Sequence, residues 1–408
     1  MNRPILLAAL GVALLLPTPA PADDAAPETS PVPQETTRKP TFEIYGFAQV
    51  DFIEDFQRVR PDWNATLRPT RIPTEEGLYG ANGEAILSAR QSRLGVRGSV
   101  PAGDHDLFAR IEFDFFGYGL DRPDAGGQNT IRLRQAYGAW GPLLGGLTAS
   151  LFMDDDFWPN IIDYWGPSGM VFYRNVQIRY TPLTGTHTFA VAIERPATDL
   201  DPFGGPVDAA PRSLLPDLTA QYRLTGRWGY LQLSGILRWL GYDTPGLATQ
   251  TKGSTVGWGL HASSQFHLVP DRLKLLAAVV GGQGISYYMN DATPDLAFGG
   301  TTADPRAESV PMLGVTAYLD VYWSKLFSSS VGYSMVQMWN TGLQAPNAFK
   351  SGQYASVNFL VTPVRNLLAG PEFLFGERID KGGAYGTDTR LQVSVKYSFS
   401  SLDFWKPN

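Results

Sequence analysis

The sequence contains no cysteine, so neither disulfide bonds nor acylation of a lipoprotein cysteine applies to this chain. It has only four histidines, and none of them stands in a paired motif that would hold a metal ion or supply a catalytic base. A glycine-rich phosphate loop is also lacking. These absences argue against an enzyme, and no metal ion or other cofactor is expected.

An excess of positive charge and a long apolar run are missing as well. The formal net charge is −6, which argues against nucleic acid as a partner. Past the first residues, no apolar run approaches the ~20 residues that a helix needs to cross a membrane. If the chain spans a membrane, it must do so as a closed barrel, because only helices and closed sheets pair every backbone polar group in lipid.

The N-terminal residues have the features of an export signal. One arginine, an apolar run over residues 5–16 and a small-residue end predict a Sec-type signal peptide over residues 1–22. An uncleaved anchor is the alternative, for which the apolar run is short. Residues 23–40 are rich in proline, glutamate and threonine without periodicity, which predicts a disordered periplasmic linker.

From residue 41 onward, apolar and polar residues alternate in strand-sized segments. One such segment, residues 131–139, places Ile131, Leu133, Tyr137 and Ala139 on the face opposite Arg132 and Arg134. Across the chain, the charged face carries Arg, Gln, Ser, Thr, Asp and Glu, which disfavours a transporter of hydrophobic solutes. Alternation alone fits both a soluble sandwich and a barrel.

Loop lengths distinguish the two architectures. Short connections lie at residues 101–104, 141–146, 182–185, 225–227, 269–271 and 363–365 and near Ser324. Long connections alternate with them, at residues 57–84, 117–130, 153–171, 196–213, 243–251 and 291–305. Outer-membrane barrels show this alternation, whereas a sandwich has no reason to. The sequence therefore predicts an all-β fold: a transmembrane antiparallel β-barrel of about sixteen strands over residues 41–399, with long extracellular loops and a tail at 400–408.

The third long connection is unusually rich in Asp, Trp, Tyr and Pro. It is too apolar for a freely solvated loop, and loops of this length are usually functional. We expect it to fold into the barrel lumen and narrow it, although a surface loop is the alternative. The candidate constriction residues are Asp154, Asp155, Asp156, Trp158 and Tyr164. The aspartate run could bind Ca²⁺, but a bare acidic run is more often solvated or paired.

Arginines recur on the predicted lumen faces. The candidate substrate-binding residues are Arg93, Arg97, Arg110, Arg132, Arg134 and Arg179. Clustered guanidinium groups attract carboxylates and can hold them bidentately. Alternatively, the arginines are structural and pair with Glu112, Asp114 or the aspartate run. The residues alone leave both interpretations open.

The chain resembles the DcaP-like porins of Gram-negative bacteria in four stretches: IYGFAQVDFIEDF, RPDWNATLRPTRIP, SARQSRLGVRGSV and MDDDFWPNIIDYWGPSGMVFYRNVQIRYTP. All four lie before residue 183, and the second half is similar only as a generic barrel. The resemblance implies a homotrimeric channel in outer-membrane lipid. It implies passage of small anionic solutes, notably dicarboxylates, past an inward-folded third loop and arginines. A non-specific general diffusion porin and a structural or adhesive barrel are the alternatives.

The closing strand also resembles that of outer-membrane barrels, whose last aromatic residue is recognised by the assembly machinery. Phe399 ends the alternating segment here and is the candidate. Because the alternating segment already ends at Phe399, we expect residues 400–408, which follow it, to be dispensable for insertion.

Overall fold

The structure, a computed structural model, describes residues 39–117 and 130–404. The predicted signal peptide and nearly all of the predicted linker lie outside the described residues. Within them, no helix is long and apolar enough to cross a membrane.

The regular secondary structure of the described residues is almost entirely β-strand. In chain order the strands are β1 (Thr41–Asp55), β2 (Glu84–Ser88), β3 (Arg93–Ala102), β4 (His105–Asp114), β5 (Arg132–Trp140), β6 (Leu143–Ala149), β7 (Arg174–Leu183), β8 (His187–Glu194), β9 (Ala210–Ser213), β10 (Asp217–Gly226), β11 (Gly229–Asp243), β12 (Lys252–Val269), β13 (Leu273–Gln283), β14 (Leu296–Thr301), β15 (Asp304–Ser309), β16 (Pro311–Tyr322), β17 (Phe327–Met338), β18 (Phe349–Asn358), β19 (Leu360–Val364), β20 (Leu367–Asp380) and β21 (Tyr385–Ser400). Among the described residues, the helical segments are three short 3-10 turns, Pro61–Trp63, Pro69–Arg71 and Ser286–Tyr288, and α1 (Ser401–Phe404).

The main sheet closes on itself. It contains nineteen strands, and β14 with β15 forms a separate hairpin in the connection between β13 and β16. β1 pairs with β3 on one side and with β21 on the other, so the first and last strands seal the barrel. Three crossings are each made of two strands (β2 with β3, β9 with β10, β18 with β19), so nineteen strands make sixteen crossings. The predicted antiparallel barrel of about sixteen strands is confirmed.

Side-chain alternation separates the two faces of the wall. On β21, Leu391, Val393 and Val395 are exposed, whereas Arg390 and Gln392 are completely buried. The apolar face therefore points outward, toward lipid, and the polar face points into the lumen.

One β-bulge inverts this alternation. The register between β4 and β5 shifts by one residue at Arg134. Beyond the shift, Tyr137 pairs directly with Arg110, which lies on the lumen face, and directly paired residues share a face. The prediction that Tyr137 and Ala139 share the outward face of Leu133 is therefore wrong, because one inserted residue moves every later side chain to the other face.

The lumen face is not polar all the way round. Buried apolar side chains point inward from the second half of the barrel: Ile236, Leu276, Val280, Met312, Val336 and Leu374. They pack with apolar residues of the first and third long loops in two buried clusters. The expectation of a uniformly polar lumen face thus fails on this side, because the two loops cover that wall and turn it into a hydrophobic core.

Candidate functional site

The third long loop, residues 150–173 between β6 and β7, crosses the lumen; we call it L3. The backbone N–H of Asn160 donates to Asp320 on β16 at 3.2 Å. The N–H of Gly169 donates to Ser334 Oγ on β17 at 2.8 Å. Both partners lie far from β6 and β7 around the barrel. The predicted folding of this loop into the lumen is confirmed.

Two carboxylates hold the middle of L3 against the far wall. Glu372 on β20, which is fully buried, accepts the backbone N–H groups of Ile162 and Asp163 at 3.0 Å each. Asp163 in turn accepts Thr66 Oγ1 of the first loop at 2.9 Å and Tyr354 Oη of β18 at 3.1 Å. Burial raises the pKa of Asp163, since an ionised carboxylate loses its hydration there. These contacts tie L3, the first loop and the wall into one unit.

The aspartate run plays three different parts. Asp154 is buried and accepts hydrogen bonds from Arg223 at 2.6 Å, Tyr230 Oη at 2.9 Å and Ser263 Oγ at 2.6 Å. Asp156 also pairs with Arg223, but its side chain is 65% exposed. Asp155 is exposed and has no hydrogen bond or ion pair among the described residues. Only Asp155 can therefore present a free negative charge to a solute.

The later part of L3 reaches the opposite, arginine-bearing wall. Tyr164 Oη donates to Asp114 Oδ2 at 2.5 Å and accepts Arg134 Nη1 at 2.6 Å, and Arg132 also contacts it. Its ring stacks on Phe116 with the centroids 3.9 Å apart. Tyr164 thus joins L3 to this wall, as its choice as a constriction residue requires.

Four of the six predicted arginines form one cluster on β3, β4 and β5 around two buried carboxylates. The ion pairs are Arg110–Glu112 at 2.7 Å, Arg134–Glu112 at 2.9 Å, Arg134–Asp114 at 2.7 Å, Arg132–Asp114 at 2.7 Å and Arg93–Glu112 at 3.7 Å. Four guanidinium groups against two carboxylates leave an excess of two positive charges. The predicted pairing with Glu112 and Asp114 is thus present in this cluster, and solute binding by its arginines stays a prediction.

The other two predicted arginines lie apart from it. Arg97 pairs with Glu43 at 2.6 Å, nearer the short turn, and its side chain is 47% exposed. Arg179 donates to Gln177 Oε1 at 3.0 Å and to the carbonyl of Ala149 at 2.6 Å. Neither side chain borders the two cavities between L3 and the arginine wall.

Open space remains between L3 and the arginine wall. The lower cavity has a volume of about 290 Å³. Its lining includes Phe47, Gln49, Arg93, Arg134, Asp155, Trp158, Asp163, Phe172, Arg174 and Lys396. Four cationic side chains thus face two carboxylates, and that of Asp163 is already occupied by hydrogen bonds. The cavity is electropositive.

Sequence reasoning missed two of these cations, Arg174 and Lys396. Within residues 39–117 and 130–404, Arg174 makes no hydrogen bond or ion pair, and its guanidinium lies 4.7 Å from the ring of Phe172. Lys396 likewise makes no hydrogen bond or ion pair to the described residues, and its ammonium group lies 5.4 Å from the ring of Phe47. Lys396 shares the lumen face of Arg390 on β21, so alternation could have identified it as a lumen residue. Arg174 is in step with the outward-facing residues of β7, so alternation would have placed it on the lipid side.

A second, upper cavity of about 390 Å³ lies on the long-loop side of the first. Its lining includes Arg68, Arg132, Arg134, Trp165, Phe172, Arg174, Asp199, Tyr287 and Asn290. Burial raises the pKa of Asp199, and the neighbouring Asp295 adds to this. The described residues contain no group of His, Cys, Asp and Glu that could hold a metal ion.

A closed barrel with an apolar exterior, a charged interior and a long loop inside its lumen is the architecture of an outer-membrane porin. The chain belongs to the family described as DcaP outer membrane protein, which matches residues 28–399. The resemblance seen in the sequence is therefore confirmed.

Solved structures share the fold. The outer-membrane channel DcaP of Acinetobacter baumannii is 22% identical with a TM-score of 0.76, over 90% of this chain and 99% of that one. An anion-selective porin from Comamonas acidovorans is 11% identical with a TM-score of 0.57, over 88% and 100%. OmpT of Vibrio cholerae is 10% identical with a TM-score of 0.53, over 89% and 99%. Among curated proteins, none matches the sequence.

Proposed function

We propose that this outer-membrane porin is a passive diffusion channel that prefers small anions, dicarboxylates among them. The observation that carries the proposal is the lining of the lower cavity, where Arg174 and Lys396 make no hydrogen bond or ion pair to the described residues. Asp155 is the one carboxylate of that lining without a hydrogen bond in the described part of the chain. The balance of free charge is therefore positive.

Fixed cations in a narrow passage favour anions for two reasons. An arginine stays protonated at any workable pH, so its field is permanent. The field acts most strongly inside the passage, whereas in open solution salt screens it within about 8–10 Å. Guanidinium groups also match carboxylates geometrically, and a dicarboxylate can engage two cations at once.

The cations do not contribute equally. Arg134 is almost completely buried and holds Glu112, Asp114 and Tyr164, so it serves mainly as a scaffold. Arg93 has one longer ion pair, at 3.7 Å, and its Nε has no hydrogen bond. We therefore assign selectivity mainly to Arg93, Arg174 and Lys396.

We also propose that the chain is exported by a signal peptide over residues 1–22, with a linker at 23–40, and that it assembles as a homotrimer through the outer-membrane assembly machinery. A trimer form of Vibrio cholerae OmpT, whose barrel is similar, supports the oligomer. We propose no enzymatic activity, no cofactor and no nucleic-acid partner, because the family and the similar structures are outer-membrane channels.

The test is the reversal potential of the purified protein in planar bilayers under a KCl gradient. We expect the reversal potential to have the sign of an anion-selective pore. In potassium malonate, we expect the malonate dianion to carry current. Replacing Asp155 by asparagine should increase the anion preference, since it removes the free opposing charge. D156N is the matched control, because Asp156 borders neither cavity. A reversal potential near zero would favour the general diffusion porin, and a cation-selective pore would contradict the proposal.

A further inference from the structure

The lower and upper cavities meet at three residues that line both: Arg134, Phe172 and Arg174. Beyond these, each cavity has cations of its own. Arg93 and Lys396 belong to the lower cavity and Arg68 and Arg132 to the upper one. A solute moving along the arginine wall therefore passes from one positively charged space to another across this shared boundary.

The two arginines at the boundary differ in freedom. Arg134 is fixed by ion pairs to Glu112 and Asp114 at 2.9 and 2.7 Å and is only 5% exposed. Arg174 makes no hydrogen bond or ion pair to the described residues; the ring of Phe172 lies beside its guanidinium, and its Nε is buried without a hydrogen-bond partner. Its donors are therefore available, and rotation of its side chain breaks no hydrogen bond or ion pair to the described residues.

In the upper cavity, Arg68 of the first loop is already neutralised. Arg68 pairs with Asp291 at 2.9 Å and lies between the rings of Trp63 and Trp165, at 4.5 and 4.2 Å. Arg132 is paired with Asp114 as well, so an anion in this cavity finds an unpaired positive charge at Arg174, on the boundary with the lower cavity.

We infer that the upper cavity is a second binding site for small anions, in series with the lower one, and that Arg174 transfers the anion from one to the other. This inference rests on the proposed anion preference and goes beyond it. A carboxylate bound in the upper cavity at this boundary contacts Arg174, and rotation of that side chain brings the anion beside Arg93 and Lys396. Arginine suits the role because its guanidinium can hold a carboxylate by two hydrogen bonds while the aliphatic part of the side chain rotates. Conduction through a selective pore needs sites that are each weak enough to leave, and two sites in series meet that need.

Two occupied sites have a signature that one site lacks. In mixtures of potassium chloride and potassium acetate at constant total concentration, wild-type single-channel conductance should pass through a minimum below both pure salts. R174Q should abolish the minimum and raise the acetate concentration for half-saturation by at least about tenfold, as expected for loss of a charged hydrogen bond. R174K keeps the charge without the fork and should lie between R174Q and wild type. R97Q removes a lumen arginine that borders neither cavity, so it should behave as wild type.

The outcomes separate this inference from the proposed function. If the wild-type channel is anion-selective but its conductance in chloride and acetate mixtures has no minimum, the inference of two binding sites in series is wrong. The proposed anion preference is unaffected by that result. R174Q and R174K channels indistinguishable from R97Q overturn the role of Arg174. A wild type without anion preference overturns both proposals. Folding of R174Q is checked by heat-dependent gel mobility. If R174Q does not fold, the conductance of R174K is compared with that of R97Q, and a difference between them supports the role of Arg174.

Discussion

Replacing Asp154 by alanine should loosen the start of L3, whereas the same change at Asp156 should do little. The two aspartates belong to one run and both contact Arg223. They differ in burial: Asp154 is 1% exposed, whereas the side chain of Asp156 is 65% exposed. Asp154 also accepts the hydroxyls of Tyr230 and Ser263.

The structure gives the size of the difference. Removing one partner of a buried ion pair costs about 3–5 kcal/mol, because the other charge stays behind unpaired. Arg223 keeps Asp156 as a partner after D154A, which reduces this cost. Two buried hydroxyls lose their acceptor, at ~1 kcal/mol each. If the remaining pair with Asp156 reduces the ion-pair cost to about 1 kcal/mol, D154A should cost about 3 kcal/mol in total, against less than about 1 kcal/mol for the exposed pair lost in D156A.

Two measurements on the purified barrel check this. The heat-induced unfolding midpoint, read from gel mobility in detergent, should fall for D154A and stay near wild type for D156A. In bilayers, D154A should add current noise and brief closures, since the start of L3 is freed while Glu372 still holds its middle. D154N keeps one acceptor oxygen and should be intermediate.

Equal effects of D154A and D156A would refute this reasoning. Both aspartates would then act through their shared contact with Arg223, and burial would have no bearing on the result. Quiet D154A channels with a lowered midpoint would mean that the start of L3 stabilises the barrel without shaping the pore.

Two further predictions concern the backbone of L3 and the C-terminus. G169A should displace L3 and change single-channel conductance, because an added methyl group would overlap the carbonyl oxygen of Met335; G342A, which has open space around it, is the control and should leave conductance unchanged. Deletion of residues 400–408 should still allow insertion, measured as folded protein in the outer membrane, although it removes contacts at the rim. Unfolded truncated protein in the periplasm would contradict this and would show that Phe399 is not the assembly signal.

Most of the barrel is predictable from the sequence for a physical reason. Lipid on one side and a charged lumen on the other impose a period of two, as on β21, where exposed Leu391 and Val393 alternate with buried Arg390 and Gln392. Loop lengths then give the number of crossings. The location of L3 was also predictable, because an apolar, acidic loop between two amphipathic strands has few places to bury its aromatic residues.

The roles of identical residues within L3 were not predictable. Asp154, Asp155 and Asp156 differ only in what comes near them, and those partners arrive from strands far along the chain: Arg223, Tyr230 and Ser263. The same holds for the lumen face of the second half, where inward apolar residues such as Leu276 have a use only once the loops cover them. The charge of a side chain is evident from the local sequence, but its ion-pair and hydrogen-bond partners are set only once the barrel has closed.

Alternation misplaced residues at two irregularities of the wall: Tyr137 and Ala139 beyond the bulge on β5, and Arg174 at the start of β7. Arg134 is the extra residue of the bulge and shares the lumen face of Arg132, as alternation predicts, whereas the residues beyond it change sides. Arg174 is the first residue of β7, opposite Ala149 at the end of β6, and its side chain enters the lumen despite an outward parity. Arg134 donates to Tyr164 of L3, and Arg174 borders the cavity beside L3, so both irregularities lie where L3 meets the arginine wall. Only the second changes the face of a guanidinium. The entry of Arg174 into the lumen from an outward position supports its proposed role in permeation.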